Sequence, residues 1–144
     1  MKKLYLGFAI LILLSVLTVG CGGSGNTGPV SDTSIINTLI NRYATGIKAK
    51  NVDQVASCLT DPIIFNGNNM TLENFKSIAL PMKWALITDF SISNVSITLI
   101  DPTNASASLT EKPVSIAGVV LIPAEFTFIK LGETWKISDI EEEI

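Results

Sequence analysis

The amino-acid sequence predicts an α+β domain in which helices come first and an antiparallel sheet follows. Between about residue 31 and residue 80, apolar residues recur every three or four positions, which is typical of amphipathic helices. From residue 89 onward, apolar and polar residues alternate, which is typical of half-buried strands. A run of helices followed by a run of strands favours an α+β fold with the helices packed on one face of the sheet.

The first predicted helix starts at Ser31 or Asp32, whose side-chain oxygen can accept the free amide protons of the first turn. Lys48 and Lys50 lie near its end, where cations complement the helix dipole. Its apolar residues fall on one stripe: Ile35, Ile36, Leu39, Ile40, Tyr43 and Ile47. The pattern therefore predicts a single amphipathic helix that ends near residue 50.

Two shorter helices with a strand between them are predicted next. Residues 52–60 repeat their apolar positions at helical spacing, and this helix stops at Asp61 because the residue before a proline disfavours helical backbone. Residues 62–66 predict a short strand that ends in an Asn-Gly turn. Thr71 then caps a third helix, whose end falls between residues 81 and 86.

The remaining chain predicts four strands in an antiparallel meander. The first covers residues 89–99, and a change of alternation at Ser93-Asn94 predicts a β-bulge. The turn that follows is residues 101–104. The other strands cover residues 105–116, 119–131 and 134–144, with Gly132 and Glu133 as the hairpin turn before the last one.

The N-terminal segment differs in composition from the domain. Two lysines, an almost wholly apolar run over residues 4–19 and the pair Gly20-Cys21 follow one another, and these are the parts of a secretory signal. The apolar run is shorter than the ~20 residues that a membrane-spanning helix needs. The segment resembles a bacterial lipoprotein signal, in which the cysteine is acylated and becomes the first mature residue. Thr18 departs from that family, which usually has leucine there.

This resemblance implies a division of the chain into a signal peptide (1–20), a glycine-rich tether (21–30) and a folded domain (31–144). It also implies a cell-envelope location, on the extracytoplasmic side of a bacterial membrane, with membrane lipid as a partner through acylated Cys21. Palmitate is one such acyl group. The alternative is a signal peptide cut by the ordinary peptidase, with Cys21 incidental.

Composition excludes several classes of function. Without Lys2 and Lys3, the mature part has eight basic and thirteen acidic residues, so no basic surface for nucleic acid is expected. The chain has no histidine, which removes the usual zinc sites and the base of a serine or cysteine nucleophile. We expect no metal and no cofactor. Cys58 lies in a helical pattern, so we expect a small packing residue rather than a disulfide partner of Cys21.

Two stretches of the predicted domain resemble a known protein superfamily. They are INRYATGIKAKNVDQVASCLTD (residues 40–61) and FTFIKLGETWKISDIE (residues 126–141). In this order they resemble the nuclear transport factor 2-like superfamily, also described as ketosteroid isomerase-like with a cystatin-like fold. The resemblance spans residues 31–144 and implies a cone-shaped α+β fold with helices on a curved antiparallel sheet. Dimerisation through the sheet is common in that superfamily, so a homodimer is also implied.

The resemblance does not extend to the catalytic residues of the isomerases in this superfamily. Ketosteroid isomerases of this fold use a tyrosine, an aspartate base and a protonated acid. Tyr43 matches the tyrosine, but the base position falls at Asn66 or Gly67 and the acid position at Ala124. None of these three can serve as the acid or base that the reaction needs.

We therefore expect a non-catalytic domain that binds a small apolar ligand or a protein partner. The alternative is an isomerase- or hydrolase-like enzyme that uses Tyr43 with one cavity carboxylate, such as Asp89 or Glu125. An interior filled by aromatic rings would weaken both small-molecule hypotheses, whereas an open pocket in which Tyr43 faces an acid would favour the enzyme. The candidate cavity residues are Tyr43, Phe65, Phe90, Glu125, Phe126 and Trp135.

Overall fold

The computed structural model describes residues 30–143, in which helices pack on one face of a curved, unclosed sheet. The predicted α+β class is confirmed. The predicted signal peptide, Cys21 and the tether up to residue 29 lie outside the described residues. In the part of the chain that the structure describes, no helix has the length and apolar character required to cross a bilayer.

The helical elements are α1 (Asp32–Ala49), α2 (Val52–Ala56), α3 (Leu72–Asn74), a π-helical turn (Phe75–Ala79) and α4 (Leu80–Ala85). Ser31 caps α1, because its side-chain oxygen accepts a hydrogen bond from the Ser34 N–H (3.3 Å). Thr71 caps α3 in the same way, accepting from the Asn74 N–H (3.2 Å). Both caps agree with the sequence-based prediction.

The strands are β1 (Leu59–Phe65), β2 (Asn68–Met70), β3 (Asp89–Leu99), β4 (Asn104–Ser115), β5 (Gly118–Val119), β6 (Ile122–Leu131) and β7 (Thr134–Glu142). Their order in the sheet is β2-β1-β7-β6-β4-β3, and β5 pairs with β4. The predicted meander is confirmed in β3, β4, β6 and β7. The predicted bulge is also present, since the register of β3 shifts between Ser93 and Ser96 and Asn94 has a φ of 54°.

Several predicted elements differ from the structure at their ends. The strand predicted over residues 62–66 is β1, which begins three residues earlier, and part of the turn predicted after it forms β2. The predicted helix over residues 52–60 stops at Ala56, because Leu59 already begins β1. This strand pairs parallel with β7, and the Ile137 N–H donates to the Cys58 carbonyl (2.9 Å). The predicted strand over residues 119–131 is divided into the short β5 and the longer β6.

The third predicted helix continues to Ala85 through Pro81. The π-helical turn ends two residues before this proline, and the Leu80 N–H that follows it donates to the Phe75 carbonyl five residues back. Proline has no N–H to donate and normally clashes with the carbonyl four residues earlier. The wider turn allows the chain to remain helical at Pro81 and positions α4 over the sheet.

The core lies between the helices and the inner face of the sheet. Its largest fully buried side chains are Trp135, Tyr43, Phe75, Phe90, Phe126 and Phe128. The rings of Tyr43 and Phe126 meet edge to face, with centroids 5.4 Å apart. Aromatic packing therefore fills the interior beside the first helix.

Candidate functional site

A buried group of three charged side chains lies where α4, β4 and β7 meet. Lys83 Nζ contacts Glu111 Oε2 (2.6 Å) and Glu142 Oε1. The side chain of Glu111 is fully buried, and those of Lys83 and Glu142 are 13% and 7% exposed. We call these three residues the Lys83 cluster. Its ion pairs are shielded from water, so their charges interact strongly.

Strand alternation brings Glu111 into the interior. In β4, Ala107 and Leu109 are buried, and Glu111 follows two residues later on the same face. Glu142 comes from the end of β7, where its backbone N–H donates to Asn66 Oδ1 (2.9 Å). The two carboxylates therefore reach the cluster from different strands.

Helical periodicity brings Lys83 to the same place. Phe75 is buried and Ala79 is partly buried, and Lys83 continues this series at steps of four residues. Lys83 Nζ also lies 5.3 Å from the centroid of the Phe90 ring, which is a cation–π distance. The ammonium group is thus held between two carboxylates and an aromatic face.

The Lys83 cluster has one cation and two carboxylates, so its formal charge is −1 when both glutamates are ionised. Burial raises the pKa of Glu111 to about 7, although the charge of Lys83 acts in the opposite direction. Burial by itself lowers the pKa of Lys83, but the charges of Glu111 and Glu142 and the hydrogen bond with Glu111 outweigh it and the pKa is raised. Near neutral pH, Lys83 therefore stays charged while Glu111 gains or loses a proton.

Tyr43 approaches the cluster from α1. Its side chain is fully buried, and burial raises the pKa of its hydroxyl. Among residues 30–143, neither the Tyr43 hydroxyl nor Glu111 Oε1 has a hydrogen-bond partner. A buried polar atom without a hydrogen-bond partner costs folding free energy. The hydrogen-bonding capacity on the inner side of the cluster is therefore incompletely satisfied.

A pocket of about 360 Å³ opens beside the Lys83 cluster. Its lining consists of five apolar residues and three polar ones: Phe65, Asn66, Met70, Ile78, Ala79, Met82, Lys83 and Glu142. Apolar walls with a few converging polar groups are typical of small-molecule sites, which begin at about 300 Å³. Tyr43 and Glu111 do not line the pocket; they lie behind Lys83.

Most of the candidate cavity residues named from the sequence lie in the filled interior. Tyr43, Phe90, Phe126 and Trp135 are buried there, and only Phe65 lines the pocket. The interior around Tyr43 is therefore packed rather than open, which weakens both hypotheses of a small-molecule site inside the domain. The pocket is instead formed between the segment that contains α3 and α4 and the strands β1, β2 and β7.

The two carboxylates named as partners of Tyr43 lie elsewhere. Glu125 is exposed on the opposite face of the sheet, because it alternates with the buried Ala124 and Phe126. Asp89 is exposed and pairs with Lys48 (3.0 Å) on the surface. Neither meets Tyr43, so the assignment of Glu125 to the cavity is corrected.

The sequence interpretation missed all three members of the Lys83 cluster. Two signals could have revealed two of them, Glu111 and Lys83. The alternation of β4 assigns Glu111 to the same face as its buried alanines, and the four-residue spacing from Phe75 through Ala79 leads to Lys83. Among the described residues, no group of three or more histidine, cysteine, aspartate or glutamate side chains is placed to hold a metal ion.

Comparison with known proteins shows the fold. No family model and no curated protein matches the sequence. A solved structure from Novosphingobium aromaticivorans, named as a candidate scytalone dehydratase, has a TM-score of 0.62 at 14% identity, covering 77% of this chain and 82% of that one. A candidate ketosteroid isomerase from Shewanella frigidimarina has a TM-score of 0.64 at 13% identity, covering 76% and 95%.

A third similar structure is a nuclear transport factor 2-like protein of unknown function from Pseudomonas putida. Its TM-score is 0.65 at 12% identity, and the match covers 78% of this chain and 87% of that one. The fold is therefore nuclear transport factor 2-like, with a cystatin-like arrangement, as the sequence predicts. At these identities the similarity concerns the fold alone, and the names include both enzymes and a protein of unknown function.

Proposed function

We propose that this chain is a lipid-anchored protein of the bacterial cell envelope whose domain binds a small, mainly apolar molecule with an ammonium group at one end. The observation that carries the proposal is the pocket whose apolar walls end at Lys83 and Glu142. The domain acts as a binding module rather than as an enzyme. Anchoring at Cys21 is supported by the N-terminal sequence.

The apolar walls support the first part of the ligand's description. Phe65, Met70, Ile78 and Met82 present carbon and sulfur to the pocket, and removing a hydrocarbon chain from water there contributes about 25 cal/mol per Å². Methionine side chains adapt to irregular shapes, so the walls accept an alkyl chain or a small ring.

The charge balance of the Lys83 cluster supports an ammonium group at the polar end. Glu111 and Glu142 share a single cation, Lys83, and one negative charge is left without a counterion when both are ionised. A second cation next to Glu142 removes this imbalance. A carboxylate ligand would add a third negative charge to a buried site, which is unfavourable.

Three probes of equal chain length test this specificity: hexylamine, hexanol and hexanoate. Each is titrated at pH 8 into residues 22–144 carrying ¹³C-methyl methionine, because Met70 and Met82 both line the pocket. We expect hexylamine to bind about tenfold more tightly than hexanol, which corresponds to about 1.4 kcal/mol, and hexanoate to bind most weakly. Tightest binding of hexanoate would contradict the proposed ligand class.

Two matched variants connect the preference to Glu142. Glu142→Gln removes the carboxylate at the polar end of the pocket, and we expect hexylamine to lose its advantage over hexanol. Glu143→Gln makes the same change at the next residue, which is exposed and outside the pocket, so the advantage should remain. An equal loss in both variants would show that the preference comes from general surface charge.

Anchoring is tested separately by labelling cells with an alkyne analogue of palmitate. We expect the label on the parent chain and on Cys58→Ala, because Cys58 is buried and burial raises the pKa of its thiol. Cys21→Ala should carry no label. Equal labelling of Cys21→Ala and the parent chain would overturn the anchoring.

The enzyme alternative has one observation in its favour. Tyr43 and Glu111 both lie next to Lys83, and a carboxyl group whose pKa is near 7 is suited to proton transfer. However, neither side chain lines the pocket, so a substrate bound there does not reach them. We therefore prefer the binding module.

A further inference from the structure

We propose that the domain sits upright on the bilayer, with the end that carries Val30, Ile100 and Leu131 facing the lipid. This inference rests on the proposed anchoring at Cys21. It concerns a surface on the side of the domain where the described chain begins, well away from the ligand pocket. The occupant of the surface is the lipid interface to which the chain is attached.

Hydrogen bonds bring three segments together at this end. Lys130 Nζ and Trp135 Nε1 both donate to Asp32 Oδ1 (3.0 and 2.9 Å), so the start of α1 lies against the hairpin between β6 and β7. The Lys130 N–H donates to the Thr103 carbonyl (2.8 Å), which adds the turn between β3 and β4. Val30 precedes α1 and therefore belongs to the same end.

This end exposes four large apolar side chains. Their exposed fractions are 67% for Val30, 47% for Leu99, 62% for Ile100 and 53% for Leu131. On a protein that lies against a bilayer, exposed apolar side chains insert into the boundary between headgroups and acyl chains. Each side chain that is removed from water in this way contributes to binding. A lipid surface would thus cover residues that are otherwise exposed to water.

The length of the chain before Val30 favours this orientation. Nine residues from residue 22 to residue 30 reach at most about 30 Å when fully extended. β4 has 12 residues and therefore spans about 37 Å from this end to the opposite one. The tether is therefore shorter than the domain is tall. It cannot reach the bilayer if the domain stands upright with its opposite end on the lipid.

The opposite end provides a matched control because it also exposes apolar residues. Ile116, Val119, Val120 and Leu121 follow β4 at its far end, and Ile116 is 99% exposed. A partner or a bilayer that recognised exposed apolar residues alone would choose this end. The distinction between the two ends therefore depends on where the chain is attached.

The test compares Ile100→Trp with Ile116→Trp in the full chain. Each variant is purified from membranes, its acylation is verified by intact mass, and it is reconstituted into phosphatidylcholine vesicles with and without doxyl-labelled phosphatidylcholine. Phosphatidylcholine is chosen because it has no net charge. An anionic lipid would repel Asp101 and Glu133, which lie at the end that faces the bilayer. The parent chain provides the emission of Trp84 and Trp135, which is subtracted.

We expect doxyl lipid to reduce the added emission of Ile100→Trp about twofold or more, since tryptophan at the interface lies within reach of the quencher, and to leave Ile116→Trp unchanged. Equal quenching of both variants, stronger quenching of Ile116→Trp, or no quenching of either overturns the orientation while the anchoring stands. A mass without acyl chains overturns the anchoring itself, and the orientation with it.

Discussion

Replacing Glu111 by glutamine should remove a specific part of the pH dependence of stability. The carboxyl group of Glu111 is fully buried, and its pKa rises from 4.5 to about 7 in the folded chain. Between these two values the folded state holds a proton that the unfolded state has released. The contribution of Glu111 to the free energy of unfolding therefore falls as pH rises through this window, and this contribution is lowest above pH 7.

The size of the effect follows from the shift. About 2.5 pKa units correspond to about 3 kcal/mol at 1.36 kcal/mol per unit. In the Glu111→Gln variant this group no longer titrates. From pH 4 to pH 8 the parent should therefore lose about 3 kcal/mol of unfolding free energy relative to the variant.

Urea unfolding at four pH values measures this difference through the fluorescence of Trp135, which is buried in the core. Groups outside the Lys83 cluster titrate alike in variant and parent, so their contributions cancel. Glu125→Gln is the control, because Glu125 is exposed on the outer face of the sheet and should follow the parent. Parallel pH profiles for Glu111→Gln and the parent would refute the explanation of the Lys83 cluster.

Three other substitutions have definite expected effects on urea unfolding. Lys83→Met leaves two carboxylates without their cation and should cost about 3–5 kcal/mol at pH 8, and less at pH 5, where Glu111 takes up a proton. Tyr43→Phe removes a buried hydroxyl that has no partner in residues 30–143, so it should be neutral or stabilise by up to about 1 kcal/mol. Gly46→Ala places a Cβ 2.8 Å from Val55 Cγ2 and should cost about 1–3 kcal/mol.

Each of these has an outcome that contradicts it. Lys48→Met is the control, because Lys48 is exposed. An equal loss of stability in this control and in Lys83→Met would contradict a stabilising interaction of Lys83 with buried carboxylates. A marked destabilisation by Tyr43→Phe would mean that the hydroxyl has a partner, such as a bound water. If Gly46→Ala unfolds at the same urea concentration as the parent, the packing of α2 against α1 is looser than the distance indicates.

Local patterns predicted those parts of the fold that depend on neighbours in sequence. The stripe that includes Ile36 and Ile40 predicted α1, and the change of alternation at Asn94 predicted the bulge in β3. The end of α2 was not predictable in this way. Leu59 enters a strand because it pairs with Ile137, nearly eighty residues later, and that contact has no local signal.

The site was less predictable than the fold, for two physical reasons. The sequence left the end of the third helix open between residues 81 and 86, because proline normally interrupts a helix, whereas the π-helical turn before Pro81 allows α4 to continue and to carry Lys83 inward. Charged residues are rarely buried, and this makes a glutamate in a strand hard to recognise as a core residue, although the alternation of β4 places Glu111 on the buried face. Its burial depends on Lys83, which comes from a distant element.

The most direct test of the proposed ligand site is a crystal structure of residues 22–144 grown with hexylamine at pH 8. We expect the alkyl chain among Phe65, Met70 and Met82, with the nitrogen within hydrogen-bonding distance of the Glu142 carboxylate. An empty pocket, or a bound amine whose nitrogen points away from Glu142 into solvent, would contradict it.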